Sequence, residues 1–143
     1  MKTIGLLGAM CLFSLLFIVP LHVADSAQPW QLRLGTTIIG SNVQNLQGKD
    51  LGNIKELVVN PADNRVVYAV LASGGMLGLG EKLFAVPLSV LQRAAEGGTF
   101  LLNVDEERLK QAPEFNQNNW PQMTDPQWVT SVYTFYGVQP YWK

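Results

Sequence analysis

The chain has 143 residues, the length of a single domain, so an enzyme with a separate cofactor-binding domain is not expected. Ten basic and 11 acidic side chains give a net charge of −1 at pH 7. The chain therefore lacks the excess of positive charge with which proteins bind phosphates of nucleic acids, and we expect no nucleic-acid partner.

The N-terminal segment has the pattern of an export signal. Lys2 supplies the positive start, and residues 4–19 carry no charge and are apolar apart from one serine. Pro20 ends this run shortly before Ala24-Asp25-Ser26, whose small residues favour cleavage after the serine. An uncleaved anchor is the alternative, because the apolar stretch 4–23 is long enough to cross a membrane. In both cases we expect the remainder to be exported, either periplasmic or secreted, and tied to the inner membrane only without cleavage.

The export segment also contains the only cysteine, Cys11, and the only histidine, His22. Without it the chain has no thiolate nucleophile, no Ser-His-Asp triad and none of the nitrogen or sulfur ligands that zinc, copper or haem iron usually require. Carboxylate, lysine and tyrosine chemistry and oxygen-ligated cations remain. We therefore expect no catalytic residue, no metal and no cofactor.

The next part of the chain consists of short β-type runs separated by turn residues. The first strand opens at 36–39 and continues through 41–45, and later strands cover 51–59, 65–72, 82–87 and 99–103. Turns are predicted at Gln47–Asp50 and Asn60–Asn64, where glycine, proline, asparagine and aspartate cluster. Because Arg65–Ala72 is β-branched and apolar on both faces, it is predicted to run through the middle of the core.

Two helices are predicted after the strands. Asp105 is a suitable N-cap for a helix over 106–111. Asp125 and Pro126 repeat this start as N-cap and first helical residue, and Gly137 is placed to end the second helix. One face of that helix carries Trp128, Val132 and Phe135.

Five segments in a fixed order carry a family resemblance. They are Ile39–Val43, Gly48–Ile54, Leu57–Asn60, Arg65–Val70 and Glu81–Ser89. Across residues 34–110 this ordered set resembles the PRC-barrel family, named after the cytoplasmic part of the photosynthetic reaction centre H subunit. The tail is similar to an extension found in some bacterial members, on the segments Arg108–Pro113, Asn119–Pro121 and Asp125–Trp128.

The resemblance implies a mainly β fold: a small, bent β-barrel of five or six strands with short C-terminal helices. Relatives such as the reaction centre subunit and a ribosome maturation factor use this domain mostly for docking, although both act in the cytoplasm. The expected organisation is a signal peptide or anchor at 1–26, a linker at 27–33, a PRC-barrel domain at 34–111 and an aromatic helical extension at 112–143.

Two local motifs have a functional and a structural interpretation. The glycine-rich segment Gly74–Gly80 lacks both the Gly-Lys-Ser/Thr ending of a phosphate loop and a following helix, so it is predicted to be a hairpin connection. Its apolar residues are candidate partner contacts: Met76, Leu77 and Leu79. Asp105, Glu106 and Glu107 lack the spacing of a calcium loop, and an ordinary capped helix explains them.

The C-terminal tail is rich in aromatic residues. It contains Trp120, Trp128, Tyr133, Phe135, Tyr136, Tyr141 and Trp142. One interpretation is that a short helix packs this tail onto the barrel, and the other is an interaction surface or a membrane-interface belt. Trp120, Tyr141 and Trp142 are candidate partner contacts, and the last two are expected to be the most accessible because they follow Gly137 and Pro140.

These observations predict an exported, non-catalytic PRC-barrel domain that acts as a docking or assembly module for a protein partner at the cell envelope. The alternative is a small-ligand-binding barrel, or a minor carboxylate-dependent enzyme, in which the barrel mouth and the aromatic tail form a pocket. A homodimer through an apolar barrel face is a further alternative. Fold-level analogy alone does not decide among these functions.

Overall fold

The computed structural model describes residues 34–74, 80–95 and 97–142, which belong to one compact unit, Leu32–Lys143. The predicted export segment lies outside the described residues. The elements in chain order are α1 (Gly35–Ile38), β1 (Asn42–Gln44), β2 (Asp50–Asn60), β3 (Arg65–Ser73), β4 (Lys82–Pro87), a 3-10 turn (Leu88–Val90), β5 (Leu91–Arg93), β6 (Phe100–Leu102), α2 (Glu106–Leu109), β7 (Glu114–Phe115) and α3 (Pro126–Tyr136).

The strands form a single sheet in the order β5-β6-β1-β2-β3-β4-β7. All neighbours are antiparallel except β1 and β6, which are parallel. The prediction of a mainly β fold with short helices is confirmed, and the five predicted strand regions from 41–45 onward match β1, β2, β3, β4 and β6. In the described part of the chain β5 and β7 are the two edges, so these strands do not close into a continuous ring.

The sheet bends because its longest strand is irregular. The pairing register shifts once between β1 and β2 and twice between β2 and β3, and such bulges increase the twist and bend of a strand. At Gly52 the backbone has φ +131°, and a Cβ built there would lie 2.0 Å from the Ala72 carbonyl oxygen. Glycine therefore allows β2 and β3 to approach each other at the bend.

The concave side of this bent sheet encloses the main core. Buried side chains from β1, β2, β3, β4 and β6 meet there with residues from the segment around α2. The cluster contains Val43, Leu51, Ile54, Ala69, Leu71, Phe84, Val86, Leu102, Val104, Leu109 and Ala112. This core holds the barrel-like part of the fold together.

The opposite side of β3 and β4 is also apolar, and we call it the outer face. Because side chains alternate along a strand, it carries the residues between those of the main core: Tyr68, Val70, Ala72, Leu83 and Ala85. Val132 and Tyr133 of α3 pack on Tyr68 and Ala85, and Phe115 of β7 packs beside Val70 and Leu83. The C-terminal extension therefore covers the outer face, and the prediction that 65–72 runs through the core is confirmed.

The N-terminal strand prediction is wrong at its start. Residues 36–39 do not form a strand, since Gly35–Ile38 is a helical turn. The Thr37 hydroxyl donates to the Leu34 carbonyl at 2.7 Å, and the Ser41 hydroxyl donates to the Thr37 carbonyl at 3.0 Å. These local bonds outweigh the β propensity of the Thr-Thr-Ile-Ile run.

Within the described residues the sheet has seven strands instead of the predicted five or six, because β5 and β7 add to it. Helix α2 ends at Leu109 instead of residue 111, since the amides of Gln111 and Ala112 donate to carbonyls three residues back in tight turns. No helix in the described residues combines the length and the apolarity that crossing a membrane requires.

The predicted ends of α3 are confirmed. The Asp125 carboxylate accepts from the amides of Gln127 and Trp128, and Gly137 ends the helix in the left-handed conformation at φ +69°. The predicted single apolar face is divided: Trp128 and Val132 pack toward the outer face, whereas Phe135 packs against the main core.

Candidate functional site

The aromatic side chains of the extension stack outward from the sheet. The Tyr68 ring on β3 lies 5.7 Å from the Tyr133 ring on α3, measured between centroids. Tyr133 in turn meets Trp142 edge-on at 5.7 Å. This series of rings connects the buried outer face with Trp142, the last described residue of the chain. Because tilted and edge-on aromatic pairs favour one relative orientation, these contacts also orient the Trp142 ring.

The C-terminal residues fold back over the end of the β2–β3 hairpin. The Val138 amide donates to the Tyr133 carbonyl at 3.1 Å, which closes the turn after Gly137, and Pro140 is buried. Beyond it, the Asn60 side-chain amide donates to the Tyr141 hydroxyl at 3.0 Å. The Arg65 guanidinium lies over the Tyr141 ring, 5.0 Å from its centroid, within the range of a cation–π contact.

These contacts position Tyr141 and Trp142 without burying them. The exposed fractions are 37% for Tyr141, 48% for Trp142 and 53% for the neighbouring Val59. Tyr141 and Trp142 also meet edge-on at 4.8 Å. We call Val59, Tyr141 and Trp142 the C-terminal aromatic patch. It presents apolar surface, and the contacts of Tyr141 and Trp142 restrict the rotamers of these two side chains.

A cavity of about 420 Å³ lies beside this patch. Its walls come from the end of β2, the following turn, the start of β3, the beginning of α3 and Trp142. The described lining residues are Val58, Val59, Asn60, Pro61, Val67, Tyr68, Met123, Thr124, Pro126, Val129 and Trp142. The cavity is predominantly apolar, as small-molecule sites generally are.

The tyrosines of this region remain protonated at neutral pH. Burial is the main reason that the pKa of Tyr68 and of Tyr133 is raised. The pKa of the exposed Tyr141 is raised chiefly by hydrogen bonding to the Asp63 carboxylate. All three phenols are therefore neutral hydrogen-bonding groups and not bases in this range of pH.

The predicted contact residues occupy different surroundings. Trp120 is 41% exposed and packs on Phe115 of β7, with 5.0 Å between ring centroids. Tyr141 and Trp142 instead lie at the β2–β3 end. The other candidates, Met76, Leu77 and Leu79, lie outside the described residues, while the flanking Gly74 and Gly80 both have positive φ.

Three residues of the site were missed from the sequence. Asn60 and Arg65 contact Tyr141 across the β2–β3 turn, and Asn60 is 81 positions away from it. Val59 lines the same cavity as Trp142. Their only local signal was the turn-forming composition around them, which predicts chain reversal and no contact with a distant segment.

The acidic residues near α2 have the structural role that the sequence favoured. The Asp105 carboxylate accepts from the Arg108 amide at 2.7 Å as N-cap of α2. Glu106 pairs with Lys49 and Lys110. Within the described ranges no group of three or more histidine, cysteine, aspartate or glutamate side chains is arranged to hold a metal ion.

The family assignment follows from the fold and from comparison with known families. A family model described as PRC-barrel domain matches residues 32–109, more than half of the 143 residues. The chain belongs to the PRC-barrel domain family, as its ordered segments predicted. Comparison with curated proteins gives no match. The matched range supplies Val59 of the C-terminal aromatic patch, whereas Tyr141 and Trp142 come from beyond it.

Proposed function

We propose that this protein is an exported, non-catalytic docking module whose partner contacts the C-terminal aromatic patch. The observation that carries the proposal is that Tyr141 and Trp142 are held by ring, cation–π and hydrogen-bond contacts and still expose 37% and 48% of their surface. Tryptophan and tyrosine dominate the residues that contribute most to binding, and preorganised side chains lose little entropy when a partner binds.

The surroundings of the patch indicate the chemistry of its partner. Val59 adds apolar surface, and Asn60 and Arg65 supply polar and positive groups next to Tyr141. Such an apolar centre with a polar rim matches the general composition of protein interfaces. The proposed partner is therefore a folded envelope protein with an exposed apolar patch bordered by polar groups.

A site-specific crosslinking experiment tests the docking proposal in the cell that makes the protein. A photoreactive amino acid at Gln139, an exposed position beside Tyr141, should capture a discrete partner. The same group at Gln92, exposed on the edge strand β5, serves as control. The crosslink at Gln139 should disappear in the double variant Tyr141→Ala and Trp142→Ala. Identical crosslinks from both positions, or persistence in the double variant, would refute the proposed surface.

The export part of the proposal is tested separately by intact mass. Protein isolated from its native host should lack residues 1–26, and with them Cys11 and His22. A full-length mass together with a cytoplasmic location would contradict export, whereas a full-length mass in the membrane fraction would identify the uncleaved anchor.

Small-ligand binding is the second candidate function. The observation that favours it is the cavity of about 420 Å³ beside the patch, whose volume lies within the usual range of small-molecule sites. This candidate shares Val59 and Trp142 with the docking surface, since both line the cavity, whereas Tyr141 does not line it.

A further inference from the structure

We propose that a second cavity, between the start of β4, β7 and the loop at 116–121, binds one pyranose ring of an uncharged saccharide. Its described lining shares no residue with the C-terminal aromatic patch or with the cavity beside that patch. Saccharide binding there is therefore a function additional to docking and independent of it.

The second cavity has a volume of about 290 Å³ and lies where β7 pairs with β4. This volume is close to the lower limit for small-molecule sites and suits a single sugar ring. Its walls combine the aromatic rings of Phe115 and Trp128 with five hydrogen-bonding side chains, those of Glu81, Lys82, Glu114, Asn116 and Asn119. A pyranose has the matching chemistry, because it carries hydroxyl groups around its edge and C–H groups on its faces.

Two asparagine side chains at this cavity have hydrogen-bonding capacity to spare. Within the described ranges the Asn119 side-chain amide makes no hydrogen bond, and Asn116 uses only its Oδ1, which accepts from the Asn118 amide at 3.0 Å. Both residues are exposed, so a ligand can reach them from solvent. A side-chain amide both donates and accepts, as a sugar hydroxyl does, and the two groups can therefore replace the water that each loses.

The charges at the cavity favour an uncharged ligand. Lys82 Nζ donates to the Glu114 carboxylate at 2.7 Å, and Lys55 Nζ donates to the Glu81 carboxylate at 2.5 Å. Each carboxylate already has a lysine partner and keeps lone pairs that accept from hydroxyl groups, which are the stronger, charge-assisted kind of hydrogen bond. Lys82 is the only basic residue of the described lining, so an acidic sugar would lose hydration without gaining an unpaired cation.

The exposed Trp120 extends the aromatic surface beyond the cavity. Its ring lies 5.0 Å from that of Phe115, which in turn meets Trp128 edge-on at 5.9 Å. Trp120 is 41% exposed and stands in the chain between Asn119 and Pro121, which both line the cavity. The negative face of an indole attracts the weakly positive C–H face of a pyranose, so the neighbouring unit of a saccharide chain would contact Trp120.

The experiment titrates three probes into the full chain at neutral pH by isothermal calorimetry: cellotetraose, methyl β-D-glucopyranoside and β-1,4-linked tetramannuronate. We expect saturable binding of cellotetraose to one site. The anionic tetramannuronate should bind at least about 10-fold more weakly. Methyl β-D-glucopyranoside identifies the source of the sugar: an affinity at least about 5-fold below that of cellotetraose assigns the site to a saccharide chain, and an equal affinity assigns it to a free sugar.

Two asparagines of one loop provide a matched pair of variants. Asn119→Ala removes a lining side chain that has no bond within the described protein, so it should lower cellotetraose affinity about 5-fold or more without affecting folding. Asn118→Ala is the control, because Asn118 is equally exposed, does not line the cavity and bonds Asn116 through its backbone amide, which alanine keeps.

Two exposed tryptophans provide a second comparison. Trp120→Ala should lower cellotetraose affinity at least about 5-fold, whereas Trp142→Ala, which removes a 48% exposed ring from the C-terminal aromatic patch, should leave it unchanged. Circular dichroism of Trp120→Ala reports whether that variant is folded, and Asn119→Ala tests the site without disturbing the ring contacts.

Three results would overturn the inference: no saturable binding of cellotetraose or of methyl β-D-glucopyranoside up to about 10 mM, an equal loss in Asn118→Ala and Asn119→Ala, or tightest binding of tetramannuronate. Failure of the docking proposal is a separate outcome. The double variant Tyr141→Ala and Trp142→Ala should abolish partner crosslinking from Gln139 and keep saccharide binding, and Asn119→Ala should do the reverse.

Discussion

Replacing Gly52 with alanine should destabilise the protein severely. An ideal Cβ at this position lies 2.0 Å from the Ala72 carbonyl oxygen and 3.2 Å from the Ser73 Cα, so it meets backbone that cannot rotate away. The backbone φ of +131° is itself unfavourable for a residue with a side chain. Both terms act at the bend where β2 leaves β1 and pairs with β3.

The magnitude follows from these two terms. Strained backbone at one residue costs about 1–3 kcal/mol. Displacing β3 would break one or two ladder hydrogen bonds near the Asn53–Ala72 pair, which adds about 1–3 kcal/mol. The expected loss in the free energy of unfolding is therefore about 2–6 kcal/mol, a large part of the 5–15 kcal/mol that is typical of a domain.

The assay is equilibrium denaturation of the full chain in urea, followed by circular dichroism. Gly48→Ala is the matched control: Gly48 also has positive φ, at +80°, but nothing lies within 4 Å of its Cβ position. It should lose only about 1–2 kcal/mol from the left-handed conformation. If Gly52→Ala were no more destabilising than Gly48→Ala, the close approach of β2 and β3 would not be what requires glycine.

Further predictions concern the helix cap, the buried phenol and an ion pair. Asp125→Ala should lower the free energy of unfolding by about 1 kcal/mol because α3 loses the acceptor of two amides, and Asp125→Asn should recover most of it; equal stability of all three proteins in urea would contradict the capping role. Tyr68→Phe should leave the stability of the ligand-free protein unchanged or raise it by up to about 1 kcal/mol, and a clear decrease would mean that the hydroxyl is bonded in the folded state. Hydrogen bonds from Lys49 and Lys110 lower the pKa of Glu106 below its ordinary 4.5, so its stabilising effect is present above that pH and is lost as pH falls through the lowered pKa. Melting temperatures should therefore fall less on acidification in Glu106→Gln than in the unmodified chain, and parallel curves would contradict the assignment.

The regular elements could be predicted from the sequence because their signals are local. The strand at 65–72 is apolar at successive positions, which is what burial on both sides of a sheet requires. Helix α3 is bounded by Asp125 and Gly137, whose preferences do not depend on the rest of the fold. These segments were correct because local propensity and tertiary packing favour the same structure.

The short elements could not be predicted in the same way. β5 and β7 have three and two residues, and they exist as strands because β6 and β4 offer them backbone partners. The run at 36–39 has β-branched residues but forms a turn, since the Thr37 hydroxyl bonds the local backbone. In each case a specific partner, which composition does not specify, decided the structure.

The candidate site was predictable only in part. The density of aromatic residues in the tail indicated Trp120, Tyr141 and Trp142 as contact candidates. The cavity and the partners of the patch depend on the tail returning to the β2–β3 turn, as the Asn60–Tyr141 hydrogen bond across 81 positions shows. That return follows from the outer face needing a cover, which is a property of the assembled sheet.

The two-sided burial of β3 and β4 affects how partners should be sought. A recombinant fragment that ended with the family match at residue 109 would lack Phe115, Val132 and Tyr133, and the side chains of Val70 and Leu83 would face water. Such bait would adhere to unrelated apolar surfaces and return false interactors. Only a chain that retains the extension presents the surface to which the proposed partner would bind.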